Sequence, residues 1–200
     1  MASAAPAPLK SAPLQPQDWV RAAASRLAQE GIDAVRVEVL ARELGVSKGS
    51  FYWHFRDREE LLNALLADWE SSEAAWLDDG QRVSRSAAAR WALFVEHSTA
   101  VDRRRFEAAV RGWARQDDRV AVRVTAIEKR RQAFIADVLE NVGFSPEAAG
   151  AWGEIALLVY LGWVDRSTRD AEFDVAGHGL GEFLSELVLA ASARLPGANR

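Results

Sequence analysis

Residues 37–55 have the sequence VEVLARELGVSKGSFYWHF, and this segment decides the expected fold. Its apolar spacing predicts a short helix over 37–44, a glycine turn, and a second helix that begins after Ser47 and ends near His54. Two short helices joined by a glycine-containing turn are typical of a helix-turn-helix, whose second helix enters the major groove of DNA. The segment therefore predicts an all-α fold with a DNA-binding unit near its N-terminus.

The second of these helices combines apolar anchors with polar, basic and aromatic side chains. Val46, Phe51 and Phe55 fall five and four residues apart, so we expect them to pack against the preceding helices. The other positions then face outward, where hydroxyl, ammonium and ring-edge groups can meet phosphates and bases. These predicted DNA-facing residues are Ser47, Lys48, Ser50, Tyr52, Trp53 and His54.

The flanking sequence completes a small N-terminal domain. Asp18 can N-cap a first helix that runs to Glu30 and ends at Gly31. Asp57, followed by Glu60, resembles a capping box and predicts a long fourth helix towards residue 76. We therefore assign residues 17–62 to a three-helix DNA-binding domain, with the fourth helix from about 57 linking it to a second domain over 63–196.

The second domain shows helical periodicity throughout. After a polar break at 78–86, helices are predicted over 87–99, 103–115 and 119–142, then from Ser145 to about 164, and finally over 175–195, giving about nine in all. The last two carry apolar stripes that need a partner, which predicts a homodimer built on a four-helix bundle. The predicted interface residues are Trp152, Ile155, Val159, Leu180, Leu184, Leu187, Val188 and Ala191.

Composition narrows the function classes. The chain of 200 residues is 49% hydrophobic and 27% charged, which is typical of a packed globular protein. It has no cysteine and no apolar run long enough for a membrane span, so we expect a cytoplasmic protein without a membrane partner. Residues 1–16, rich in alanine and proline, predict a disordered tail. The formal net charge of −4 argues against indiscriminate nucleic-acid coating, and residues 1–60 are neutral, with eight basic and eight acidic side chains.

Catalytic and metal-binding patterns are not found in the sequence. It contains no Gly-rich phosphate loop and no nucleophile elbow, and His97 and His178 have no partner at metal-ligand spacing. The arginine run 103–105 is interpreted as a solvated face, since charge runs usually are. We therefore expect neither an enzyme nor a cofactor or metal site.

The sequence GVSKGSFYWHF, followed by RDREELLNALL, resembles the signature of the tetracycline-repressor-like (TetR) family of regulators. The resemblance runs over about 19–69, a quarter of the chain, and weakly over RGWARQDDRV at 111–120. It implies a homodimer whose N-terminal domains bind successive major grooves of an operator and whose C-terminal domains hold an effector. It also implies DNA contacts by Lys48, Tyr52 and His54, and a basic position entering the fourth helix at Arg58. Glu38 departs from a position that is often basic in the family, so Arg36 is expected to supply that charge.

An effector site is predicted from the surplus of aromatic residues in the second domain. Small-molecule sites are mostly apolar, and these side chains can line one, although core packing is the alternative for each. The predicted pocket residues are Trp91, Phe94, Phe106, Trp113, Phe134, Trp152 and Tyr160. They favour a small lipophilic effector.

Two functions follow from the sequence. The first is a repressor that a small lipophilic effector releases from a pseudo-palindromic, double-stranded operator. Activation is also open, because it depends on where the operator lies relative to a promoter. The second is a helical effector-binding or scaffold protein whose helix-turn-helix no longer binds DNA. The neutral charge of residues 1–60 and the acid at Glu38 favour this second function.

Overall fold

The structure, a computed structural model, describes residues 14–83, 86–170, 173 and 186. Within these residues all regular structure is helical, which confirms the all-α prediction. The α-helices are α1 (Pro16–Glu30), α2 (Val37–Glu43), α3 (Lys48–Phe51), α4 (Arg58–Val83), α5 (Ala87–Thr99), α6 (Val101–Ala114), α7 (Asp118–Asn141) and α8 (Pro146–Arg169). Apart from Glu186, which is helical, the helix predicted over 175–195 lies outside the described residues, as do residues 1–13 of the predicted tail.

Helix α1 begins earlier than its sequence suggested. Pro16 takes the first helical position, where its missing N–H is no loss, so the predicted disordered tail overlaps the helix by one residue. Asp18, predicted as the N-cap, is the third helical residue instead. Its carboxylate accepts a hydrogen bond of 2.6 Å from the backbone N–H of Gln15, which is the N-cap. Gly31 ends the helix at a φ of 82°, a backbone conformation that glycine adopts without strain.

Other helix ends differ by a turn or less, except in α4 and α8. α4 continues to Val83, into the predicted polar break. α8 continues to Arg169, and the cations Arg166 and Arg169 in its last turn interact favourably with the negative end of the helix dipole. Asp117 caps α7, and its carboxylate accepts a hydrogen bond from the N–H of Arg119 at 3.0 Å. Ser145 caps α8 as predicted. None of the helices in the described ranges is both long and apolar enough to cross a membrane.

One apolar core, which we call the head core, joins the N-terminal helices to α6 and α7. Its fully buried members include Trp19 and Leu27 of α1 and Phe51 of α3. Val110 of α6 and Ile127 of α7 belong to the same cluster. Since each large apolar side chain stabilises the fold by about 1.5–3 kcal/mol when buried, the helices of the predicted helix-turn-helix depend on this shared core for their positions.

A second core, the aromatic core, lies between α5, α7 and α8. Phe94 stacks on Phe134 at 5.7 Å between ring centroids and on Trp91 at 5.8 Å. α8 approaches α7 closely at Gly153, where a Cβ atom would lie 3.2 Å from the backbone oxygen of Gln132. The absence of a side chain at that position therefore lets the two long helices pack together.

Candidate nucleic-acid interface

Helix α3, the predicted recognition helix, is held by aromatic side chains that point inward. Phe51 is fully buried and packs edge-to-face on Trp19, with ring centroids 5.3 Å apart. Phe55 is also buried and stacks on Phe51 at 5.6 Å, while Val46 is half-buried against the same core. The predicted inward orientation of these three side chains is confirmed. α3 itself ends at Phe51 rather than His54, because the N–H of His54 bonds three residues back to Phe51 in a tighter turn.

The opposite side of this segment is open to solvent. Trp53 is 89% exposed and the neighbouring Tyr52 is 55% exposed. Ser47 and Lys48 are exposed, whereas Ser50 and His54 are half-buried. An ammonium group beside two accessible rings can contact a phosphate and an apolar base edge, such as a thymine methyl, at the same time.

Lys48 has a partner on α2 that the sequence did not predict. Its Nζ donates to a carboxylate oxygen of Glu38. This hydrogen bond lowers the pKa of Glu38 and raises the pKa of Lys48, so both groups stay charged at neutral pH. The acid at position 38 therefore holds the cation that was expected to meet a phosphate.

The two predicted arginine contacts have different surroundings. Arg36 is exposed at the N-cap of α2, where its carbonyl accepts from two backbone N–H groups. Arg58 is half-buried, and its guanidinium donates to the carbonyl oxygens of Val35 at 2.5 Å and Ile32 at 2.6 Å. Two N–H groups of Arg58, which was expected at a DNA phosphate, thus bind the segment that leads into α2.

The seven predicted pocket aromatics do not lie together. Trp91, Phe94 and Phe134 are buried in the aromatic core, and Trp152 packs half-buried against it. The other three lie elsewhere: Phe106 and Trp113 belong to the head core, and Tyr160 lies with Trp163 in a third cluster.

Sequence reasoning missed a buried group of ionisable residues at the centre of the second domain. We call it the ionic cluster, and its members are Glu73, His97, Arg103, Glu107, Arg131 and Tyr160. Arg131 donates to Glu73 from Nε at 3.0 Å and from Nη2 at 2.5 Å, and also contacts Glu107. The Tyr160 hydroxyl donates to Glu107 at 2.9 Å. Every helix from α4 to α8 contributes at least one of these residues.

The cluster corrects the interpretation of residues 103–105 as a solvated face. Arg103 contacts Glu73, and Arg104 is buried with its guanidinium 4.5 Å from the ring centroid of Trp163. Only Arg105 of the three is exposed. The spacing of Arg103 and Glu107, one helical turn apart, was the available signal, but the acid on α4 and the arginine on α7 lie too far away in sequence to be recognised as partners.

In the ionic cluster, burial destabilises the charged forms of the side chains, whereas attraction between opposite charges stabilises them. Burial alone raises the pKa of Glu107, but the nearby guanidinium groups of Arg131 and Arg103 outweigh it and lower the pKa to about 2. Burial, reinforced by the charge of Arg131, lowers the pKa of His97 to about 4. His97 is therefore neutral at pH 7, lying 3.4 Å from Glu73 and stacked on Trp76 at 4.0 Å.

One apolar stripe of α8 faces outward. Ile155 is 44% exposed and Leu158 is 57% exposed, whereas Trp152 and Val159 are half-buried against the aromatic core. The other predicted interface residues, Leu180, Leu184, Leu187, Val188 and Ala191, lie outside the described residues.

Comparison with known proteins gives a consistent result for the N-terminal region. The family model described as bacterial regulatory proteins, tetR family, matches residues 20–65. The class A tetracycline repressor of transposon 1721 from Escherichia coli is 38% identical over 73 residues. That match covers 34% of this chain and 34% of the repressor, so the chain matches about a third of that relative's length.

Solved structures extend the likeness in fold to most of the chain. A TetR-family transcriptional regulator from Streptomyces coelicolor superposes with a TM-score of 0.72 at 16% identity, covering 88% of this chain and 95% of its own. The regulator FadR from Bacillus subtilis, solved in complex with stearoyl-CoA, has a TM-score of 0.57 at 14% identity, covering 85% and 97%.

Proposed function

Because the chain belongs to the TetR family of bacterial regulatory proteins, we propose that it is a transcriptional repressor that binds a double-stranded DNA operator in the cytoplasm as a homodimer. The observation that carries this proposal is the outward face of residues 47–54, with Trp53 and Tyr52 exposed beside Lys48 on a fully buried Phe51 anchor. To distinguish base pairs in the major groove of DNA, a protein needs exposed side chains on a rigidly held helix. Catalysis is not part of the proposal.

The dimer in this proposal uses α8 and the segment that follows it. The exposed side chains of Ile155 and Leu158 supply an apolar stripe for a second copy of the chain. Two-fold symmetry then requires a pseudo-palindromic operator, with half-sites in major grooves about 34 to 36 Å apart.

The effector in this proposal is a small, largely apolar molecule. The Bacillus subtilis regulator of similar fold was solved with stearoyl-CoA, a ligand whose acyl chain is apolar, and this supports an effector with an apolar part for this chain. An effector releases DNA only to the extent that it binds the released conformation more tightly than the DNA-binding one. Titration with candidate lipophiles tests this, because a true effector must weaken operator binding as it binds.

The proposal is tested on an operator obtained by selection from random duplex DNA. Within it, Lys48 contacts a phosphate and Trp53 approaches base edges. Lys48→Ala should weaken binding to all sequences and lower the log–log salt slope by about 0.9 for each lost contact, nearly 2 per dimer. Trp53→Ala should change which base pairs are preferred, at about 1–3 kcal/mol per affected pair.

The matched control is Lys129→Ala, because Lys129 is an exposed lysine on α7, remote from the recognition segment. It should leave the salt slope unchanged. An unchanged slope for Lys48→Ala together with altered base preference would reverse the two assigned roles. If selection returns no preferred sequence at all, the alternative of a helix-turn-helix that does not bind DNA takes the place of this proposal.

A further inference from the structure

A cleft of about 180 Å³ lies where the first turns of α4 and α7 meet, between the DNA-binding helices and the second domain. We call it the α4–α7 cleft. Its apolar wall includes Leu62, Leu66 and Trp113. Because these three side chains are largely buried, they are held in place and expose only a small apolar floor, against which the edge of a small ring can pack.

The charged wall of the cleft has more cations than anions. Three arginines line it, at positions 58, 119 and 123, against two carboxylates, Glu59 and Asp117. Arg119 bonds to both acids, at 2.6 Å to Glu59 and 3.1 Å to Asp117. The bidentate partner of Arg123 is Glu70, at 2.5 and 2.8 Å.

Arg58 differs from the other two arginines. Among the described residues no carboxylate forms an ion pair with it, and its hydrogen bonds go to the neutral carbonyls of Ile32 and Val35. A half-buried guanidinium binds a carboxylate more strongly than a carbonyl, because the bond is charge-assisted and can be bidentate. The uncompensated charge of Arg58 therefore favours an anion in the cleft.

We propose that the α4–α7 cleft binds a small aromatic carboxylate, with the carboxylate on Arg58 and the ring against Trp113, Leu62 and Leu66. This gives the apolar effector of the proposed function a charged group. The regulatory part of the inference rests on that function. A ligand on Arg58 competes with the carbonyls of the segment that leads into α2, so its binding is coupled directly to the position of the helix-turn-helix.

Binding is measured on the full chain with 4-fluorobenzoate, followed by ¹⁹F NMR, with 4-fluorobenzyl alcohol as the uncharged probe. We expect saturable binding of the acid and binding of the alcohol that is about tenfold weaker, since a charge-assisted bond is lost. Arg58→Gln should weaken the acid to the level of the alcohol. Equal binding of the two probes to the unaltered protein would overturn the proposal.

A second variant guards against misfolding as the cause of lost binding. Glu59→Gln removes an exposed acid that lines the cleft, so it should tighten 4-fluorobenzoate binding by about threefold. A gain cannot arise from unfolding. Glu96→Gln, the same change at an exposed acid on α5, is the control and should have no effect. Failure of Glu59→Gln to tighten binding would also overturn the proposal.

The regulatory part is measured separately, by anisotropy of the labelled, selected operator. 4-Fluorobenzoate should weaken operator binding by the unaltered protein and have no effect on Arg58→Gln. If the acid binds as expected but the chain selects no operator, the proposed function fails and the cleft site stands. If the operator binds but the acid does not, the cleft site fails and the proposed function stands. If both bind without mutual effect, the site is not regulatory.

Discussion

Replacing Arg131 by methionine should destabilise the protein more than a substitution at any exposed position. The change removes a positive charge from beside two buried carboxylates. Arg131 is 3% exposed and contacts both Glu73 and Glu107, which are 0% and 1% exposed. Removing one partner of a buried ion pair costs about 3–5 kcal/mol. A chain of this size has roughly 5–15 kcal/mol of stability in total, so the loss should lower the melting temperature by roughly 6–20 °C.

The assay is urea unfolding at a fixed protein concentration, followed by circular dichroism. The double variant Arg131→Met/Glu107→Leu is the informative companion, because it removes an acid together with its cation and leaves Glu73 with Arg103. Buried ion pairs replaced by apolar residues of similar volume are often neutral in stability, so the double variant should recover most of the loss. A loss under about 1 kcal/mol for the single variant, or no recovery in the double variant, would refute the assignment of these charges as mutually dependent.

Three further predictions concern charge and assembly. Glu38→Gln should raise affinity for DNA of any sequence, because the acid competes with phosphate for Lys48; anisotropy on random duplexes measures this, and unchanged affinity would contradict it. Since the folded-state pKa of Glu107 is about 2, against an ordinary 4.5, its contribution is present above pH 4.5 and lost as the pH falls towards 2. Over that pH range the free energy of unfolding of the unaltered protein should fall by about 3 kcal/mol through this group, and acid unfolding of Glu107→Gln should not show this fall. Leu158→Glu should give folded monomers, and sedimentation that still shows a full dimer would place the interface elsewhere.

The parts of the fold that the sequence predicted are those with local causes. Phe51 and Phe55 lie four residues apart, and the backbone N–H of Phe55 donates to the carbonyl of Phe51 at 3.0 Å, so their shared inward orientation has a local cause. Ser145 followed by Pro146 gave the start of α8 correctly, because capping acts within one turn. Local signals of this kind also predicted the exposure of Tyr52 and Trp53.

The parts that sequence reasoning missed depend on contacts between distant residues. Arg58 bonds to carbonyls 23 and 26 residues earlier in the chain, and backbone acceptors leave no mark in a side-chain pattern. Arg131 pairs with an acid 58 residues away, on a helix whose neighbours were unknown. The aromatic residues expected to share one pocket were likewise separated by the packing of α6 against α1, which takes Phe106 and Trp113 into the head core.

The head core also limits the exchange of N-terminal helices between proteins of this fold, whether by engineering or by evolution. Trp19 and Phe51 share one continuous apolar interior with Val110 and Ile127, which lie far beyond residue 62. In a chimera whose first 62 residues come from another regulator, the transplanted helices would pack against a surface of α6 and α7 that does not match them. The helix-turn-helix is therefore not a detachable module, and a successful transplant must carry the matching faces of α6 and α7 with it.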